Sequence, residues 1–318
     1  MVKPYIPSPS KPDPIPIQHM IENFELTPLT PEIDISNMQI SLAEVNRPGV
    51  HIAGFYDYFD KGRVQVLGNA EMKYLKTLSD KLVEDTLFKL LSQKIPCIVI
   101  ARSLTVPPAL LLYAKLNKVP IFSTKWITSE FVAELTRWLK MKLAPRVVLH
   151  GVLMDIYGEG VIIMGDSGVG KSETALALIQ RGHRLIADDA VEVSLIAHNT
   201  LMGSCPSEIQ YFTEIRGIGV IDIRRMFGVE SVKSNQLIDI ILYLEHYDEY
   251  KTYDRLGLEN QYIEIIGQNV VSHLIPIRPG RNLSVICEAA ALNNRQKKMG
   301  YSAAEELHTK LQQLLEEF

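Results

Sequence analysis

Between residues 165 and 172 the chain reads GDSGVGKS, and no other stretch restricts its fold as much. The string satisfies G-x-x-x-x-G-K-S/T in full, with Gly165, Gly170, Lys171 and Ser172 at the defining positions. The apolar run VIIM precedes it and SETALALIQRG follows, which predicts strand, loop and helix in that order, the helix ending at Gly182. Glycines let the amides of Gly165, Asp166, Ser167, Gly168, Val169 and Gly170 turn inward around phosphate oxygens. The helix N-terminus adds partial positive charge there. In that geometry Lys171 reaches the β- and γ-phosphates and the Ser172 hydroxyl ligates Mg²⁺. The chain is expected to bind a nucleoside triphosphate or another polyphosphate.

The loop does not say where the phosphate goes. A GTPase needs a guanine-reading N-K-x-D after the loop. The similar string Asn117-Lys118-Val119-Pro120 lacks the Asp and precedes it. No L-S-G-G-Q transporter signature is present. The next apolar run instead ends at once in two acids, Asp188 and Asp189, within RLIADDAVEV. If both lie on a strand, they point to opposite faces and divide their tasks. One would face the γ-phosphate, and the other would support the metal shell or a structural contact. A kinase acting on a hydroxyl needs a carboxylate to accept its proton, whereas an NTPase needs only a positioned water. Further polar candidates are His150, Glu214, Arg216, Arg255, Arg278 and Arg281, each of which also has an ordinary structural reading. Three functions stay open at this point: protein kinase, slow nucleotide-gated sensor and small-molecule kinase. Radiolabelled ATP separates them.

The 318 residues are enough for about two domains at ~150 residues each. With 47% apolar and 22% charged residues, both can hold a core. A net charge of −4 argues against non-specific nucleic-acid binding. Cys97, Cys205 and Cys287 are odd in number and widely spaced, as expected of reduced thiols in a cytoplasmic protein. No apolar run reaches the ~18 residues of a membrane span, and no signal-peptide core opens the chain. Residues 1–20, with the proline-rich PYIPSPSKPDPIP, are expected to form a flexible leader.

Residues 21–143 are then expected to form a small α/β domain with a parallel sheet. EMKYLKTLSDKLVEDTLFKLLSQ carries leucines at helical spacing, IPCIVIA and VPIFST read as strands, and PPALLLYAKLN and SEFVAELTRWLKMK read as helices. Ala144 and Pro145 mark a linker, and 144–318 form the catalytic domain. Its tail opens with a capping box, Ser302 and Glu305, followed by the apolar stripe Leu307, Leu311, Leu314 and Leu315.

Taken together, HGVLMDIYGEGVIIMGDSGVGKSETALALIQRGHRLIADDAVEV, EIRGIGVIDI, YDRLGL, IPIRPGRNLSVICEAAALN and KKMGY resemble the bifunctional HPr kinase/phosphorylase family. NRPGVHIAGFYDYFDKGRVQVLGNAE extends the likeness into the first half. The resemblance implies a catalytic domain similar to phosphoenolpyruvate carboxykinase. It implies phosphorylation of a serine on the phosphocarrier protein HPr, from ATP or pyrophosphate, and its removal by inorganic phosphate to give pyrophosphate. It also implies a homohexamer and a role in carbohydrate uptake. By position, Asp188 matches the family's proton acceptor and donor, and His150, Lys171 and Arg255 match its other catalytic residues. Ser172 and Glu214 match its Mg²⁺ ligands. Residues 213–222, including Arg216, Gly217 and Gly219, match a segment needed in both directions. Pro276, Ile277, Arg278, Pro279, Gly280 and Arg281 match one needed chiefly for phosphorolysis. Asp189 matches no assigned role.

Overall fold

The computed structural model describes residues 5–254, 257 and 260–316. The chain divides into two compact units, Pro12–Ala144 and Pro145–Phe318 together with Met1–Lys11. The boundary falls at the Ala144–Pro145 step. The expected leader differs from what the structure shows. After its prolines the chain forms the helix Ile17–Phe24, and Ile15, Ile17 and Met20 are buried in the first unit's core. The prolines of residues 4–16 do not extend into IQHMIENF, whose amphipathic spacing buries one helical face. Further upstream, Ser10 bridges to Arg146 and Ile6 packs into the second unit.

The first unit is built on a five-stranded sheet in the order Thr27–Pro28, Ile121–Ser123, Ile98–Ile100, Val64–Leu67, Val45–Asn46. The last four strands are parallel, while Thr27–Pro28 adds an antiparallel edge. Val64, Val66, Val99 and Phe122 face the helices Ile17–Phe24 and Thr128–Lys142. Leu67, Ile98, Ile100 and Ile121 face the opposite layer. Both faces are covered, and the central strand Ile98–Ile100 accordingly reads as an unbroken apolar run. The long leucine pattern is two helices, Asn69–Leu75 and Asp80–Leu91. Thr77 Oγ1 donates back to the Tyr74 carbonyl, Ser79 is extended, and Leu82 is exposed.

The second unit has three layers. Its central sheet runs Arg184–Ala187, Val152–Ile156, Glu159–Gly165, Ile240–His246, Gln268–Ile277, Gln261–Ile265. Along Glu159–Gly165, Val161 and Ile163 pack under Ala175, Leu178, Cys287 and Ala291 of the helices Lys171–Gln180 and Leu283–Lys298. Ile162 and Met164 face a second, antiparallel sheet of four strands: Asn235–Leu237, Thr200–Ser204, Ala190–Ala197 and Arg146–His150. Glu159–Gly165, Ile240–His246 and Gln268–Ile277 are parallel, so their carboxyl ends share one edge. Open α/β sheets hold ligands at that edge. The helix Ala303–Glu316 leaves Leu307, Leu311, Leu314 and Leu315 exposed. None of the three cysteines is in a disulfide. Among the described residues no helix is long and apolar enough to cross a membrane.

Candidate active site

Gly165 ends its strand at that carboxyl edge, and Lys171 begins the next helix. The loop between them needs its glycines. Gly168 and Gly170 have φ of 86° and 95°, and a Cβ on Gly165 would stand 2.4 Å from the Leu244 carbonyl oxygen. Val169 is the loop's one buried side chain and anchors it to the core under the helix. Asp166, Ser167 and Gly168 are exposed. Lys171 is buried, and its Nζ donates to the carbonyls of Gly165, at 2.8 Å, and Asp166, at 3.0 Å. Burial lowers its pKa, against the nearby charges of Asp189, Asp188 and Asp166, and Arg216 lowers it further.

Asp188 and Asp189 are not on a strand. They occupy the turn between Arg184–Ala187 and Ala190–Ala197, two strands that belong to different sheets. The turn, not strand alternation, sends the two side chains apart. Asp189 has φ 68°, in the left-handed region, and its side chain is exposed. It pairs with His150, Nδ1 to Oδ1 at 2.9 Å, on the end of Arg146–His150. Asp188 is buried. Its Oδ1 accepts from Ser172 Oγ and from the Asp189 amide, both at 3.1 Å. Burial pushes its carboxyl up to about 6, against those two hydrogen bonds and with help from the Asp189 charge. The buried Thr213 hydroxyl stands beside it and also favours the charged form, although it makes no hydrogen bond of good geometry.

Glu214 and Arg216 lie two residues apart, at the end of Phe212–Ile215 and just beyond it, in a hairpin with Gly219–Asp222. Gly217 and Gly219, at φ 83° and 100°, make its turn. One cavity is lined by His150, Ser167, Gly168, Gly170, Lys171, Ser172, Glu173, Asp188, Asp189, Glu214 and Arg216. The structure thus gathers candidates from four separate stretches of chain. Glu173 is a lining residue that the motif reading passed over; its place in the first turn after Ser172 was the available signal. Pro276, Ile277, Arg278, Pro279, Gly280 and Arg281 do not line this cavity. Pro276 and Ile277 end the strand Gln268–Ile277, and residues 278–281 follow it at the same sheet edge. There the Arg278 guanidinium lies 3.4 Å from the Tyr247 ring centroid, and Arg281 Nη1 donates to the Pro276 carbonyl at 2.6 Å. Arg255 lies outside the described residues.

A phosphate loop at the carboxyl edge of a mixed sheet, with a buried carboxyl on the loop's own serine, defines a P-loop α/β phosphotransferase domain. The family model for the HPr Serine kinase C-terminal domain matches residues 141–311, and that for the HPr Serine kinase N terminus matches 15–139. The HPr kinase/phosphorylase of Lachnoclostridium phytofermentans is 53% identical over 292 residues, 92% of this chain and 94% of its own. That of Bacillus subtilis is 42% identical over 298 residues, 94% of this chain and 96% of its own. A solved structure, the Hpr(Ser) kinase/phosphatase of Coxiella burnetii, aligns with 51% of this chain and 98% of its own at 37% identity and a TM-score of 0.45. The chain belongs to the HPr kinase/phosphorylase family, and it is an enzyme of the kinase and phosphorylase type.

Proposed function

We propose that this enzyme moves a phosphoryl group from ATP or pyrophosphate to a serine of the phosphocarrier protein HPr. In the reverse direction it removes that group with inorganic phosphate, forming pyrophosphate. The carrying observation is the buried Asp188 carboxyl, held on Ser172 in the first turn of the loop helix. A carboxyl whose pKa sits at about 6 can take a proton and give one back near neutral pH.

In the forward direction Asp188, as carboxylate, accepts the seryl proton while the loop amides and Lys171 hold the donor phosphates. In reverse Asp188, as acid, returns the proton to the departing seryl oxygen. Arg255 stabilises the transferring group, a contribution of ~10³–10⁵ in rate for such an arginine. His150 orients the acid pair through Asp189. Residues 213–222 serve both directions, and residues 276–281 serve chiefly phosphorolysis.

The cavity's donor set fits Mg²⁺. Ser172, Asp188, Asp189 and Glu214 offer only oxygen, as a hard cation requires. Among the described residues no group of three or more His, Cys, Asp or Glu could hold an ion by itself. Mg²⁺ keeps several waters and shares its shell with phosphates, so one or two protein oxygens suffice. Ser172 and Glu214 are the residues that would hold it. When bound, it supplies neutralisation of phosphate charge.

The same reading makes the protein a cytoplasmic homohexamer that adjusts carbohydrate uptake and carbon catabolite repression. The direct test uses purified HPr and γ-labelled ATP. Label is expected on phosphoserine, and added inorganic phosphate is expected to convert it to labelled pyrophosphate. Label found only in free phosphate, or in a small metabolite, would overturn the reading.

A further inference from the structure

Four carboxylates line the cavity, namely Glu173, Asp188, Asp189 and Glu214, and Arg216 is at its lip. Among the described residues Arg216 forms an ion pair with none of them. Its Nη2 instead donates to Ser167 Oγ on the phosphate loop, at 3.0 Å. The guanidinium lies against Gly168 so closely that a Cβ there would stand 2.6 Å from Nη1. The guanidinium thus bonds a neutral hydroxyl although four acids line the same cavity, which simple charge pairing does not favour. The hairpin turn enforces it. Gly217 and Gly219 take positive φ, the Ile218 amide donates to the Ile215 carbonyl at 3.0 Å, and Thr213 and Ile215 are buried as anchors.

A guanidinium carries five N–H donors in a planar fork that matches phosphate oxygens. Ser167 takes one of them. We propose that Arg216 is a catalytic phosphate clamp, latched to Ser167, that binds non-bridging oxygens of the group being transferred. This rests on the phosphotransfer reading above and assigns a specific chemistry to one residue of the hairpin. In the forward step the seryl oxygen forms a bond to the phosphorus. The bond from phosphorus to the donor's bridging oxygen breaks, with its electron pair left on that oxygen, and the seryl proton passes to Asp188. In reverse, an oxygen of inorganic phosphate attacks, the seryl P–O bond breaks, and Asp188 returns the proton. Arg216 changes none of its own bonds. It holds the equatorial oxygens, where charge is spread in the transition state. Because those oxygens are common to both directions, both should suffer equally when it is lost.

The test compares wild type, Arg216→Ala, Arg216→Lys and Ser167→Ala in label transfer from ATP to HPr and in phosphorolysis of phosphoserine-HPr. Arg216→Ala is expected to lower kcat ~10³-fold in both directions. ATP binding, measured without HPr, is expected to weaken by less than about tenfold. Lys cannot supply the fork, so Arg216→Lys is expected to restore little. Added guanidinium ion is expected to rescue Arg216→Ala in part, which a merely structural role would not allow. Ser167→Ala, with the arginine intact but unlatched, is expected to fall between. Wild-type enzyme that labels HPr while Arg216→Ala stays within threefold of it overturns the clamp alone. So does a loss matched by an equal loss of ATP binding and not rescued by guanidinium. Wild-type enzyme that places no label on HPr overturns the functional reading and the clamp with it.

Discussion

Asp188 and Glu288 each expose little surface, 6% and 7%, and each contacts one end of the same helix, Lys171–Gln180. Their carboxyls behave in opposite ways. Burial dominates at Asp188 and raises it to about 6. At Glu288 the Arg181 hydrogen bonds dominate, at 2.5 and 2.8 Å, and with help from His183 at 2.9 Å they hold the group down at about 2 against burial. The difference shows that desolvation and partners together decide what a buried acid can do, the first prevailing at Asp188 and the second at Glu288. Glu288 has a guanidinium and an imidazole on its oxygens and serves as a clamp between two helices. Asp188 has only neutral donors, one hydroxyl and one amide, and keeps a proton within reach.

The strongest way to break this comparison is Asp188→Asn. Phosphotransfer is expected to fall by ~10²–10⁴ in single-turnover assays of both directions. Stability should move the other way. A carboxyl raised in the folded state contributes most below its unfolded pKa, and that contribution disappears as pH rises through about 6. The Asn variant is spared this loss and should be more stable at pH 8 by on the order of 2 kcal/mol in urea unfolding. In the wild type, kinase rate should rise and phosphorolysis fall as pH passes through the same region. Parallel pH trends would sink the proton-shuttle role.

Glu288→Gln probes the other end. It removes a charge that Arg181 and the buried His183 both use, at an expected cost of about 2 kcal/mol. The catalytic rate of folded enzyme should scarcely change. The sign with pH is reversed here. A depressed carboxyl contributes above its ordinary value of 4.5, and the contribution disappears as pH falls toward 2, so wild type and variant should converge in acid. A large fall in rate at full stability would mean that the clamp belongs to the chemistry.

Ser172→Ala and Glu214→Ala sharpen the metal side of the comparison. Each should shift the Mg²⁺ midpoint of activity upward by roughly tenfold or more, the scale seen when a ligand's support is lost. An unchanged titration would remove that residue from the shell. The smallest stability effect is expected at Asp189→Asn. Its pair with His150 is exposed on both sides, and such pairs contribute less than about 1 kcal/mol. A larger shift in melting would show that the left-handed turn depends on the pair.

The local elements of this site were legible in the sequence because they follow from short-range rules. Gly165 through Ser172 declare strand, loop and helix by glycine placement and apolar spacing, and the structure has them in that order. The alternating partners of Val161, Ile162, Ile163 and Met164 could not be read, since a strand covered on both faces shows only an apolar run. Placing the acid pair on a strand also followed the local pattern. A turn between two sheets took precedence, because Ala187 and Ala190 must join different layers. Leader and helix could not be separated by proline count, because the boundary depends on which face of IQHMIENF finds a core.

From the sequence alone came the expectation of a phosphate-binding loop, the acids that follow it at once, and the family resemblance. All three rest on residue identity at fixed spacing. Only the tertiary structure decided that Asp188 is buried on Ser172 while Asp189 faces solvent. It likewise placed Arg216 on Ser167, 49 residues away, and put Glu288 on Arg181, 107 residues away. Desolvation and charge pairing act through space, and no spacing rule along the chain reports which groups the fold will bring together.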